Sequence, residues 1–213
     1  LKKACKLLKK KKSIFNLINI GAHVGSTCIP AVKSKLFKKA IAFEPFPVNF
    51  KILTTNIFLN SLDDQIKTHN IALSDKKKKL FIKQFGLNSG DCRILKKKEK
   101  NAHEIKCHQL DQYTKNYNKD NSLIFMYAQG HEPEIFLGAK KTISKKIPII
   151  TEFMPSLFDI RWLKNMSHLI KNYKYFYDLK KNEHKKNFST EELKNLKDEY
   201  IVNNNYTDIL IFN

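Results

Sequence analysis

Arginine is almost missing from this chain. Only Arg93 and Arg161 stand among 40 basic residues, and the rest are lysine. Guanidinium forks make bidentate contacts to phosphate and guanine, so specific nucleic-acid readers lean on arginine. Nucleic acid is therefore not the expected partner, despite a net charge of +20. Lysine is abundant together with asparagine and isoleucine, the trio that a base-composition bias produces. Attraction to anionic partners or membrane surfaces is the second reading of the charge. Apolar runs of the ~18 residues needed to cross a bilayer are also missing; the longest are strand-sized, such as Leu123 to Ala128. Cysteine is sparse, and Cys5, Cys28, Cys92 and Cys107 form no C-x-x-C pair. That excludes zinc-finger and thioredoxin-like spacing and fits reduced thiols in a cytoplasmic protein. No Pro-, Gly- or Ser-rich linker and no internal repeat divides the chain.

What is present is enough for a core. Of 213 residues, 42% are hydrophobic, so one domain over 1–213 is expected. The N-terminal LKKACKLLKKKK has no apolar h-region or cleavage site and is not a signal peptide. Without an initial methionine it reads as a fragment or trimmed chain. Leu1, Ala4, Cys5, Leu7 and Leu8 recur at helical spacing and predict a basic helix over 1–12, packed on the domain or lying on a membrane.

Strands and helices then alternate. Strands are expected at Ile14 to Ile20, Ala40 to Phe43, Ile66 to Leu73, Leu123 to Ala128, Ile147 to Phe153, Tyr173 to Leu179 and Asp208 to Phe212. Helices are expected at Ser26 to Lys38 with Ser26 as N-cap, Val48 to Asn60, Glu132 to Ile143 and Ile160 to Lys171. A further short helix opens at the capping box Ser189 to Glu192. Short strand-like pieces, Leu80 to Gln84 and Glu104 to Leu110, lie between the lysine runs 76–79 and 96–100. Such alternation predicts an α/β architecture, a mostly parallel sheet with helices on both faces. The last two strands suit an antiparallel hairpin at one sheet edge.

Four places carry candidate chemistry. Asn19-Ile20-Gly21-Ala22-His23-Val24-Gly25 joins the first strand to the first helix, the context of a nucleotide-binding turn. A glycine turn needed only for packing gives the same pattern. Glu44 ends the second strand, 23 residues after Gly21, where an acid accepts both ribose hydroxyls of an adenosine. Tyr127 to Glu132 follows the fourth strand, beyond whose carboxyl end ligands bind in a doubly wound sheet. His131 or Glu132 there is a candidate general base, although a first-turn glutamate also suits the helix dipole. Glu152, near the end of the fifth strand, is the third candidate base. The G-x-G-x-x-G of a nicotinamide enzyme is missing, as is the N/D-P-P-Y/F-like block of amino-group methylation.

The blocks INIGAHVG (18–25), AFEPFPVNF (42–50), NIFLNSL (56–62), NIALSD (70–75), QLDQY (109–113), AQGHEPEIFLGA (128–139) and ITEFMP (150–155), in this order, resemble the FkbM-like methyltransferases. These are a branch of the class I S-adenosylmethionine-dependent enzymes. The resemblance implies a Rossmann-like class I methyltransferase fold, with a seven-stranded, mostly parallel sheet and an antiparallel last strand. The resemblance runs from about Asn16 to Pro155, and the chain is expected to divide into a basic N-terminal helix at 1–12, a core with the cofactor site at 14–155, and C-terminal helices and an edge hairpin at 156–213. The family likeness implies methyl transfer from S-adenosyl-L-methionine to an oxygen, on a sugar, glycan or natural-product acceptor. Gly21, Ala22, His23 and Gly25 match the loop under the cofactor's methionine and ribose, and Glu44, followed by Pro45, matches the ribose acid. Asn70 to Ser74, with Ala72, match the segment bordering adenine, and Gln129, His131 and Glu132 match a Q-G-x-E turn. Asn19 and Tyr127 stand at cofactor positions where the family commonly has aspartate, and Phe125 stands where a lysine is usual. No metal site is expected. These departures sustain an alternative: a degenerate methyltransferase fold acting as a basic binding module for an anionic partner. Loops 76–106 and 155–200 are the expected acceptor walls.

Overall fold

The structure, a computed structural model, describes residues 1–8, 14–157, 160–181, 184–202 and 205–213. The strands are β1 (Ile14–Ile20), β2 (Phe37–Phe43), β3 (Ile66–His69), β4 (Ala72–Leu73), β5 (Lys78–Gln84) and β6 (Cys92–Leu95). They continue with β7 (His103–His108), β8 (Ser122–Met126), β9 (Ile149–Phe153), β10 (Tyr175–Asp178), β11 (Lys186–Asn187) and β12 (Thr207–Phe212). The helices are α1 (Lys2–Leu7), α2 (Cys28–Lys33), α3 (Pro47–Leu59), α4 (Glu132–Leu137), α5 (Lys140–Ser144), α6 (Ile160–Asn172) and α7 (Thr190–Ile201).

Eight strands form the main sheet in the order β11-β10-β12-β9-β8-β1-β2-β3. β1 pairs in parallel with both β2 and β8, and so is the middle of the parallel part. Burial on both faces explains its apolar run. Leu17 belongs to an apolar cluster with α2 and α3, whereas Ile18 and Ile20 belong to a second cluster with α4 to α7. The period-two alternation of strand side chains thus feeds two cores, one on each face. On α7, Leu193, Leu196 and Tyr200 are buried, a helical spacing that points one stripe at the sheet.

Several expectations need correction. The last strand is antiparallel as expected, but it does not lie at an edge. β12 is inserted between β9 and β10 and runs antiparallel to both. The two-residue β11 covers the edge beyond β10, so among the described residues the sheet has eight strands where seven were expected. Ile66 to Leu73 is not one strand. It breaks at Asn70, whose side chain donates to the carbonyls of Glu44 (2.8 Å) and Pro45 (3.3 Å). β4 leaves for a second sheet, β4-β7-β5-β6, of which only two pieces are legible in the sequence.

The helix expected at Glu132 to Ile143 breaks at Gly138. A Cβ there would stand 1.9 Å from the carbonyl oxygen of Ser74, so only glycine lets the two chains approach. Asp111 then accepts the N–H groups of Lys141 (3.0 Å) and Thr142 (2.8 Å), capping the new helix α5 from a distance. α2 is shorter than expected, with Thr27 and not Ser26 at its N-cap position. Ser189 caps α7 as expected: its hydroxyl accepts the N–H of Glu192 at 3.2 Å. The expected helix over 1–12 is seen as α1; residues 9–13 lie outside the described residues.

Candidate active site

The carboxyl ends of β1, β2 and β8 open into a cleft of about 380 Å³, a size that suits a small ligand. β1 supplies the turn at its floor. Gly21 and Ala22 donate to the carbonyl of Phe43 at 3.0 Å each, holding the turn against β2. Gly21 adopts φ +73°, and a Cβ on it would stand 1.8 Å from the carbonyl oxygen of Tyr127. The glycine is therefore required by packing between the ends of β1 and β8. His23 and Gln129, both lining the cleft, have positive φ of 52° and 50°. Non-glycine residues in that region carry backbone strain, which concentrates at functional sites.

Glu44 is the one carboxylate among the described residues of the cleft wall. Its Oε2 accepts the His23 N–H at 2.7 Å and its Oε1 accepts the Phe46 N–H at 2.9 Å. It is 4% exposed, and burial pushes its carboxyl up to about 7 against the pull of those two N–H groups. Each oxygen keeps acceptor capacity, so the carboxylate can accept both hydroxyls of a vicinal diol such as the ribose of an adenosyl group. The 86–90 loop closes over this end. Ser89 Oγ lies 2.8 Å from His23 Nε2, and its carbonyl accepts Asn49 Nδ2 at 2.9 Å.

The structure divides the expected site residues. Gly21, His23, Glu44, Pro45, Ala72, Tyr127, Gln129 and His131 line the cleft. Ala22, Gly25, Asn70, Glu132 and Glu152 do not. Gly25 packs on Ile29 and Leu53, and Asn70 braces the backbone behind Glu44. Asn19 also stays out: it is fully buried, and neither Oδ1 nor Nδ2 has a hydrogen-bond partner among the described residues.

The three candidate bases sit in different surroundings. His131 Nε2 lies 3.1 Å from Ser74 Oγ. Burial, with Lys78 nearby, lowers the ring to about 4, so it is neutral. Glu132 turns back, and its Oε1 accepts the Ala128 N–H at 2.8 Å, shaping the turn before α4. Burial raises its carboxyl. Glu152 faces Asp208 across the β9–β12 ladder. It has no side-chain hydrogen bond among the described residues, and burial with the charges of Glu132 and Asp208 raises it to about 7. Tyr127 lines the cleft and donates its hydroxyl to Asp208 Oδ1.

Several lining residues escaped the sequence reading: Ser26, Thr27, Asn49, Cys92 and Ile94, together with Phe125 as a wall. Asn49 lies inside the AFEPFPVNF block, and Cys92 follows the Asn88-Ser89-Gly90 turn cluster; those were the available signals. Of the two expected acceptor loops, 76–106 contributes Ile82, Gly90, Cys92 and Ile94, while no described residue of 155–200 lines the cleft. Among the described residues no group of three or more His, Cys, Asp or Glu is placed to hold a metal. No described helix is long and apolar enough to cross a membrane.

The pattern of the methyltransferase FkbM domain matches residues 19–177. Among solved structures, the methyltransferase FkbM from Methylobacillus flagellatus KT superposes with a TM-score of 0.60 at 12% identity, covering 94% of this chain and 44% of that protein. The METTL16 methyltransferase domain superposes at 0.53 with 10% identity, over 99% of this chain and 64% of that one. The chain thus spans less than half of the first and under two thirds of the second, and both likenesses establish a Rossmann-like class I methyltransferase fold. No curated protein matches the sequence.

Proposed function

Since the chain belongs to the FkbM methyltransferase family, whose cofactor is S-adenosylmethionine, we propose that its cleft methylates a hydroxyl oxygen on a sugar, glycan or natural product. Residues 1–213 act as one methyltransferase domain in this reading. The observation that carries it is Glu44, a buried carboxylate at the end of β2 aimed into a cleft beside the β1 turn. Glu44 would hold the ribose hydroxyls, with Gly21, His23 and Pro45 beside it and Ala72 toward the base. Asn70 acts indirectly, by bracing the Glu44 carbonyl. Tyr127 and Gln129 would border the methionine end. Asn19, Ala22 and Gly25 shape the turn from behind.

When bound, the cofactor supplies a methyl group already activated as a sulfonium. The chain's own task is then to hold the acceptor oxygen in line and to take its proton. His131, neutral on the β8 side of the cleft wall, would accept that proton. Glu152, raised to about 7, is a proton store behind Tyr127, and Glu132 fixes the turn that carries His131. The basic-module alternative has no support in the cleft, because no lysine or arginine is among its described lining residues.

The test is calorimetric titration with S-adenosylmethionine and S-adenosylhomocysteine, followed by radiolabelled methyl transfer to a panel of glycosides. Saturable binding that Glu44→Ala removes, with label in an alkali-stable ether, is expected. Absence of binding to folded protein would overturn the cofactor assignment. Label on nitrogen or in alkali-labile esters would overturn the hydroxyl assignment.

A further inference from the structure

The cleft wall has an aromatic face that the sequence did not assign. Phe125 and Tyr127 both line the cleft, with ring centroids 4.8 Å apart and planes within 19°. Backbone pairing fixes their place: Phe125 stands opposite Asn19 on β1, and the Tyr127 N–H donates to Ile20 at 3.0 Å. The rings therefore stand beside the β1 turn. Glu44 stands on the other side of β1, about 10 Å away by the spacing of two strand intervals.

The charge pattern around the rings is unusual for a chain of +20. No described lysine or arginine lines the cleft, and burial holds the His23 and His131 imidazoles down in their neutral forms. Burial also keeps Cys92 a thiol, pushed up to about 11. A cation at the β8 side of the cleft thus meets no repelling charge and no ionised lining carboxylate. It meets the stacked rings of Phe125 and Tyr127, both on the cleft wall. The Tyr127 hydroxyl donates to Asp208, and a hydroxyl giving its hydrogen bond to a carboxylate leaves its ring richer in electrons. That strengthens attraction of a cation to the face.

We propose that the stacked rings of Phe125 and Tyr127 recognise the positive charge of the cofactor's sulfonium, with Asp208 as a positioning residue that orients and polarises the Tyr127 ring. This rests on the methyltransferase reading above. It makes the chain select the charged methyl donor over its neutral thioether product by ring faces rather than by a carboxylate.

The experiment compares dissociation constants for S-adenosylmethionine and S-adenosylhomocysteine, ligands that differ by the methyl group and its charge. In Phe125→Leu and Tyr127→Leu the preference for the sulfonium over the thioether falls, by about tenfold in the double variant. Tyr127→Phe and Asp208→Asn keep a ring and lose only its polarisation, so each shows a smaller fall. Circular dichroism and thermal melts report that the variants are folded, and S-adenosylhomocysteine affinity falls less than S-adenosylmethionine affinity in each. Equal loss of both ligands, or an unchanged ratio in folded variants, overturns the proposal. Failure of wild-type protein to bind either ligand overturns the methyltransferase reading instead. Should the double variant not fold, the ratios of Phe125→Leu and Tyr127→Phe decide.

Discussion

Asn70 Nδ2 donates to the backbone carbonyl of Glu44 at 2.8 Å, so the residue that follows β3 clamps the residue that follows β2. The clamp, with the His23 and Phe46 N–H groups on the carboxylate, fixes Glu44 at the cleft wall before any ligand arrives. A preset carboxylate loses less entropy on binding a diol than a mobile one.

Glu44 also makes stability depend on pH. Its carboxyl is raised by burial from the usual 4.5 to about 7. Between those values the folded chain holds a proton that the unfolded chain has released. Stability from this group is therefore present at low pH, falls as pH rises from 4.5 to 7, and is flat above. At about 1.4 kcal/mol per pH unit the fall is roughly 3 kcal/mol. Urea unfolding at pH 5 and pH 8 should show Glu44→Gln gaining on wild type by about that amount at the higher pH. A pH-independent difference would mean an ordinary carboxyl.

Gly21→Ala should cost stability with no ligand present. The new Cβ would stand 1.8 Å from the Tyr127 carbonyl, and φ is +73°. Backbone cannot move aside cheaply here, and a loss on the order of 3 kcal/mol or more is expected. Gly86→Ala is the control, with φ +67° and nothing within 4 Å of the new atom; about 1 kcal/mol is expected from the left-handed backbone alone. Thermal melts of the two variants decide, and equal small losses would return the glycine to ligand approach.

The parallel strands are legible because burial on both faces writes apolar runs such as LIFM into β8. The second sheet is less so. On β5 only Ile82 is buried, so lysines interrupt its pattern, while β4 and β6 have two and four residues. The turn after β1 and the acid at Glu44 are legible from spacing. The split between lining and bracing residues is not, because it depends on side-chain direction at helix and strand ends. Glu132 neighbours His131 in sequence, yet it turns to the Ala128 N–H while His131 lines the cleft. Asp208 reaches Tyr127 across 81 positions, a pairing no local pattern carries.

Asn19→Leu should stabilise the protein. The asparagine is fully buried and neither polar atom has a partner among the described residues, and leaving such a side chain unpaired costs about 1–3 kcal/mol. Leucine has similar size and breaks no hydrogen bond, so a gain of about 1–3 kcal/mol is expected. Denaturant midpoints measure it, and S-adenosylhomocysteine affinity should be unchanged because Asn19 does not line the cleft. A loss of affinity would move Asn19 back among the cofactor contacts.

Glu132 and Glu152 should respond in opposite directions to neutralisation. Glu132 accepts the Ala128 N–H at 2.8 Å, so Glu132→Ala leaves a half-buried donor without its partner and destabilises by about 1 kcal/mol. Glu152 has no such partner and is held up to about 7 by burial and by the charges of Glu132 and Asp208. Ionising it in the folded protein is unfavourable, so its stability contribution falls as pH rises from 4.5 to 7, as for Glu44. Glu152→Gln removes that loss, and the variant should be more stable than wild type at pH 8 and close to it at pH 5. Chemical denaturation of both variants at the two pH values separates the roles. If Glu152→Gln weakens the fold at pH 8, the carboxylate has a partner that stabilises its charge, and its use as a proton store fails with it.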